Sequence, residues 1–234
     1  MRGIWRGNDR RCGWWSGICM MLLVSIAGCA EDVAPPTEQP GPESATPPGS
    51  YTFRLDSERS DPGQFRLSEA DGSVRILTGP AGIAFKSGDQ VLSGDFRVEA
   101  TFVQFGAPVG YREAYGIFVG GRDLESPDQE YTYLLVRPTG DYLIKRRIGE
   151  VLETFVDWTS HEAVRRVVDV GDEPENTLAV EVVQGETRFH VNGTLVHTMP
   201  APEARPYGVA GLRANHRLDI RVTGWALTAR SNDS

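Results

Sequence analysis

From residue 51 onward, apolar and polar positions alternate with period two, the spacing of strands that bury one face. Phe96, Val98, Ala100 and Phe102 fall on one side of a segment whose other side carries Arg97, Glu99 and Thr101. Leu178, Val180 and Val182 repeat the pattern, as do Leu218, Ile220 and Val222. The same alternation, punctuated by Gly, Pro, Asn and Asp, predicts further strands at 51–55, 73–77, 82–85, 115–119, 130–137, 142–148 and 151–156. No long segment repeats apolar residues at helical spacing. The expected architecture is therefore an all-β sandwich of two antiparallel sheets over residues 51–230, with one short helix at 163–167 after a capping box formed by Thr159 and Glu162.

Two hairpins carry specific registers. Asn192-Gly193 joins 188–191 to 194–199 and accommodates the positive φ of a type I′ turn. This predicts Val191 opposite Thr194 and Phe189 opposite Val196, with Arg188, His190, Leu195 and His197 on the other face. Pro138, Thr139, Gly140 and Asp141 join the second pair. A four-residue loop there places Tyr131, Tyr133, Leu135, Arg137, Tyr142, Ile144, Arg146 and Ile148 on one face, with Tyr133 opposite Arg146.

The first 50 residues follow a different pattern. Arg2, Arg6, Arg10 and Arg11 precede an apolar stretch too short to span a bilayer comfortably, which ends in Ser25-Ile26-Ala27-Gly28-Cys29. That ending resembles the lipobox of bacterial lipoproteins, which implies cleavage after residue 28 and a lipid on Cys29. Residues 30–50 contain Pro35, Pro36, Pro40, Pro42, Pro47 and Pro48 with four acidic residues and no basic one. Such a segment favours polyproline II and reads as a tether reaching up to about 60 Å. The expected organisation is a signal peptide at 1–28, a lipidated tether at 29–50 and the sandwich at 51–230. The expected location is the cell envelope outside the cytoplasm, and the outer membrane if the organism is Gram-negative, because Ala30 rather than Asp follows Cys29.

Charge narrows the partners. The chain has 24 basic and 32 acidic residues. Loss of residues 1–28 removes four arginines and Asp9, leaving 20 against 31 and a charge of −11. Such a domain repels phosphate backbones, so no nucleic-acid partner is expected. All three cysteines, Cys12, Cys19 and Cys29, precede the sandwich, which excludes thiol catalysis and Cys-ligated zinc within it.

The strand and turn landmarks resemble the concanavalin A-like lectin/glucanase superfamily, especially laminin-G-like and bacterial DUF1080-type domains. They are Gly94, Asp95, Phe96, Val98 and Ala100; Tyr115, Gly116, Ile117 and Phe118; Tyr131 with Leu134; Asn176 with Leu178; Phe189, Val191, Asn192 and Gly193; and Gly208, Gly211 and Leu212. The resemblance implies a jelly roll and, by analogy, recognition of carbohydrate or another envelope glycan without catalysis. It also carries two alternatives, a glycoside-hydrolase-like enzyme of the 3-keto-disaccharide kind and a structural envelope protein that binds another protein. The Glu-x-Asp-x-x-Glu strand of family 16 glucanases is missing. Where DUF1080-type domains often have Glu-x-Gln, this chain has Tyr131-Thr132-Tyr133-Leu134-Leu135, and no catalytic pair is assigned.

Candidate ligand contacts are Trp158, Tyr111, Arg112, Tyr133, Arg146, Arg213 and His216. Tyr133 beside Arg146 offers an aromatic plane with a hydrogen-bonding neighbour, although the same face is also the stronger candidate for the core. Trp158 is the preferred single contact, with a plug in the sandwich mouth as the competing role. His190 and His197, neighbours across the Asn-Gly hairpin, form a weak metal candidate that needs a third ligand. No cofactor is expected, with Ca²⁺ at Asp123, Glu125, Asp128 and Glu130 as the weak alternative to a solvated acidic loop.

Overall fold

A computed structural model of the protein describes residues 51–86 and 91–229; the expected signal peptide, Cys29 and the proline-rich segment lie outside these residues. The strands are β1 (Tyr51–Leu55), β2 (Phe65–Ala70), β3 (Ser73–Thr78), β4 (Gly82–Lys86), β5 (Phe96–Gln104), β6 (Tyr115–Arg122) and β7 (Glu130–Arg137). They continue as β8 (Asp141–Ile148), β9 (Val151–Ser160), β10 (Glu175–Val183), β11 (Glu186–Val191), β12 (Thr194–Pro200), β13 (Val209–Ala214) and β14 (Asp219–Ala229). They form two antiparallel seven-stranded sheets, ordered β1-β4-β13-β6-β7-β8-β9 and β12-β11-β10-β5-β14-β3-β2. The expected two-sheet sandwich is what forms.

Alternation explains the core. Phe96, Val98, Ala100 and Phe102 of β5 and Leu178, Val180 and Val182 of β10 face Ile117 of β6 and Leu134, Val136 and Ile144 of β7 and β8 across the interior. All are fully buried, so each strand contributes one apolar face to the layer between the sheets. β2 and β13 were absent from the predicted strands. β2 is solvated along most of its length, and the glycine and arginine of Val209-Ala210-Gly211-Leu212-Arg213 interrupt the apolar alternation of β13.

Three local expectations are corrected. No helix occupies 163–167; the sole α-helix among the described residues is α1 (Ala201–Ala204). Thr159 belongs to β9, and the amides a helix would use are bound elsewhere. Val167 donates to the Pro138 carbonyl at 2.9 Å and Arg165 to Asn176 Oδ1 at 2.9 Å. Buried Asn176 also bonds the Arg165 carbonyl, the Tyr115 hydroxyl and the Asn192 side chain, stapling this segment to β10 and to the Asn-Gly turn.

In the Asn-Gly hairpin Val191 faces Thr194 and His190 faces Leu195 as expected, but a bulge shifts the ladder so that Phe189 faces His197. The extra residue puts the two histidines on opposite faces. His190 lies by Glu181 at 3.7 Å, while His197 packs against Phe189 with ring centroids 6.2 Å apart. The pair therefore cannot share a metal ion.

The β7–β8 hairpin differs by one residue. Arg137 pairs with Asp141, so the loop is Pro138-Thr139-Gly140 alone. The shift pairs Tyr133 with Lys145 and sends Arg146 to the opposite face beside Thr132. Arg146 is buried toward the interior edge, where it donates to the Glu203 carbonyl at 2.7 Å and lies over Phe155. It is thus a structural anchor for α1 rather than a ligand contact.

Candidate functional site

The alternation that fills the core also builds the outer face of the first sheet. Ile83, Phe85, Phe118, Tyr131, Tyr133, Leu135 and Leu143 form a second apolar layer there, with Trp158 packed against it. Its burial follows from the shape of the sheet. β1 and β8 are first and sixth in order, roughly 24 Å apart if the sheet were flat. Yet Arg147 Nη1 of β8 lies 3.1 Å from Asp56 Oδ1, just beyond β1. The sheet must therefore twist until these corners meet across its outer face, which makes that face concave.

Asp56 is the centre of this closure. Arg213 of β13 grips it with both terminal nitrogens, at 2.9 and 2.6 Å, and also donates to the Tyr131 hydroxyl at 2.9 Å. The Arg213 guanidinium lies 4.9 Å from the Tyr133 ring centroid. Burial alone would raise the Asp56 pKa, but the hydrogen bonds from Arg213 and the charges of Arg213 and Arg147 outweigh it and hold it below the ordinary carboxylate range. Tyr133 thus has the arginine neighbour anticipated for it, but that arginine comes from β13. At 4% and 6% exposure, Tyr133 and Arg213 support the face from within and are not open contacts. A polar recess of 410 Å³, lined in part by Arg54, Arg59, Gln129 and Arg147, lies against the Asp56 closure.

The accessible chemistry lies at the end of this face formed by the β7–β8 turn and the close of β9. Trp158 is half-buried, with the Arg137 guanidinium 4.2 Å from its ring centroid. Arg137 Nε donates to Asp141 at 2.8 Å, and the Thr139 hydroxyl donates to the same carboxylate. Burial raises the Asp141 pKa, but the bonds from Thr139 and Arg137 and the charges of Arg137 and Arg112 together lower it by more. The net shift is downward. Sequence reading found Trp158 and Arg112 but not Arg137 or Asp141, whose pairing depends on the shortened turn.

The 105–114 loop supplies the neighbouring rim. Tyr111 donates its hydroxyl to the Arg217 carbonyl at 2.6 Å. Glu113 accepts from the His216 amide at 3.1 Å, and the His216 ring lies 3.7 Å from the same carboxylate. Arg112 and His216 are exposed, and Tyr111 is partly buried. Of the seven predicted contacts, Trp158, Tyr111, Arg112 and His216 reach this rim, Tyr133 and Arg213 lie beneath the face, and Arg146 is turned away from it. Among the described residues, no three His, Cys, Asp or Glu side chains converge on a metal position. Of the acidic loop, Glu130 is instead bound to Arg122 and Arg205.

No protein-family model matches the chain, and no curated protein matches it in sequence. Solved structures do resemble it. Carbohydrate-binding module CBM66 from Bacillus subtilis aligns with a TM-score of 0.51 at 9% identity, over 77% of this chain and 96% of that one. Bacillus licheniformis beta-glucanase aligns at 0.51 and 12% identity, over 82% and 100%. The Emp47p carbohydrate recognition domain aligns at 0.51 and 12% identity, over 79% and 90%. These likenesses show a concanavalin A-like jelly roll and transfer no residue roles.

Proposed function

We propose that this protein is a non-catalytic glycan-binding module, held outside the cytoplasm by lipid on Cys29, with Trp158 as the central sugar contact. The observation that carries the reading is the half-buried Trp158 ring beside Arg137 and Asp141. A sugar ring presents aliphatic C–H groups to an aromatic plane and hydroxyls to polar neighbours, and this rim offers both. The carbohydrate-binding names of two structural neighbours agree with it. The carboxylates of this face favour binding over hydrolysis. A general acid needs a raised pKa, whereas Asp56 is held low by Arg213 and Arg147, and Asp141 by Thr139 and Arg137.

The test is a glycan array probed with the chain from residue 29 carrying Cys29→Ser, beside the same chain with Trp158→Ala. The expected result is binding to a defined glycan set that falls at least tenfold in the variant, the loss of one stacking contact. An array without signal defeats the glycan reading, and undiminished binding removes Trp158 from the site. For the anchor, the mass of residue 29 in chain isolated from membranes is expected to include diacylglycerol. An unmodified Cys29 there reduces the proposal to secretion.

A further inference from the structure

The other tryptophan of the described residues lies at the opposite end of the sandwich. The register Leu55–Gly82, Gly82–Ala214, Ala214–Tyr115, Tyr115–Val136, Val136–Tyr142 and Tyr142–Thr159 places Trp158 at the Leu55 end of the first sheet. Trp225 instead lines a 470 Å³ recess at the Tyr51 end, between the two sheets. Its floor is apolar, from Tyr51, Val74, Val222 and Trp225, and its rim is polar, from Glu69, Asp71, Ser73 and Lys86.

Two backbone devices shape this recess. In the β14–β5 ladder Thr223 faces Thr101 and Ala226 faces Glu99, so β14 carries one extra residue. Gly224 takes it up at φ 61°, and the bulge aims Trp225 at the sandwich mouth. In the β2–β3 hairpin Asp71 and Gly72, at φ 50° and 72°, form a two-residue turn that carries the Asp71 carboxylate to the rim. Lys86 reaches over the Tyr51 ring at 5.0 Å.

We propose that this recess is a second carbohydrate site, selective for neutral sugars. Its volume lies in the usual range for small-ligand pockets, and it joins an aromatic floor to a few convergent polar groups. A sugar ring packs its C–H face on Trp225 and Tyr51, donates hydroxyls to Asp71 and Glu69, and accepts from Lys86. Two carboxylates against one ammonium disfavour acidic sugars. The inference rests on the glycan reading above but uses no residue of the Trp158 rim. Two sites on one domain also give avidity for a polymeric glycan when its spacing fits.

The experiment uses the full chain in detergent, labelled with 5-fluorotryptophan, so that fluorine NMR follows each tryptophan separately. Trp158→Phe and Trp225→Phe assign the signals of these two among the five tryptophans of the full sequence. Laminari-, cello- and manno-oligosaccharides and oligogalacturonate are the probes. A saturable shift of the Trp225 signal by at least one neutral probe is expected, with at least tenfold weaker response to oligogalacturonate. Asp71→Asn suits the same positive φ, so it keeps the turn while removing a charged acceptor, and is expected to weaken that response about tenfold. A shift at Trp158 alone overturns the second site and leaves the first reading standing. No shift at either tryptophan overturns both, and an equal response to oligogalacturonate overturns the selectivity.

Discussion

Replacing Asp56 with alanine is expected to lower the unfolding free energy by about 3–5 kcal/mol, measured by urea denaturation at pH 7. The loss greatly exceeds that of an exposed ion pair because the variant strands the Arg213 charge. Its side chain is 7% exposed, and besides Asp56 it meets Tyr131 and Tyr133, neither of which is a carboxylate. Arg147 loses its ion pair at the same time and keeps, at that corner, only a 3.4 Å bond to the residue 56 carbonyl, so the contact between the two corners of the sheet weakens. The sign with pH follows from the lowered Asp56 pKa. The folded state holds this carboxylate ionised more strongly than the unfolded chain, where its pKa is near 3.9, so its contribution is complete above that value. As pH falls through the lowered folded value, the contribution disappears. The gap between wild type and Asp56→Ala should therefore be constant from pH 5 to 7 and narrow below about pH 4. A gap under about 1 kcal/mol at pH 7 would mean that the closure is only a surface ion pair.

Gly120→Ala is expected to cost a similar amount, roughly 3–5 kcal/mol, through backbone and steric strain. Gly120 lies in the β6 bulge at φ 71°, which an alanine adopts only with strain. Its added Cβ would also fall within van der Waals contact of the Arg205 carbonyl oxygen, at 2.0 Å, with the Pro206 carbonyl carbon behind it at 3.3 Å. Both obstacles are main-chain atoms, so no rotamer relieves them. Gly193→Ala is the control, since it shares a positive φ but has no atom within 4 Å of the added Cβ. It should lose only about 1 kcal/mol. Equal melting temperatures for the two variants would contradict the steric account.

The strands were legible wherever one face was consistently apolar. Phe96 to Phe102 and Leu178 to Val182 needed no partner to reveal their buried side, because a two-sheet core demands period-two alternation. The 163–167 segment misled for a physical reason. Its apolar spacing, which buries Val164 and Val167, suits a short helix, but Asn176 and the Pro138 carbonyl claim its amides from distant parts of the chain. The β7–β8 turn was legible as a turn but not in its length. One residue of loop decided whether Arg146 faced the outer side of the sheet or the interior, since every side chain changes face with a one-residue slip.

By itself, then, the sequence determined an all-β domain and its Asn-Gly turn. These depend on local spacing and on the conformations open to individual residues. The concave face, the Asp56 closure and the Arg137–Trp158 rim were decided only in three dimensions. Asp56 and Arg213 are 157 residues apart but only β4 separates their strands, and Arg147 reaches the same carboxylate from the sixth strand because twist accumulates across the sheet. Trp225 is the same case. A one-residue bulge at Gly224, invisible to alternation, aims it at a recess completed by the other sheet.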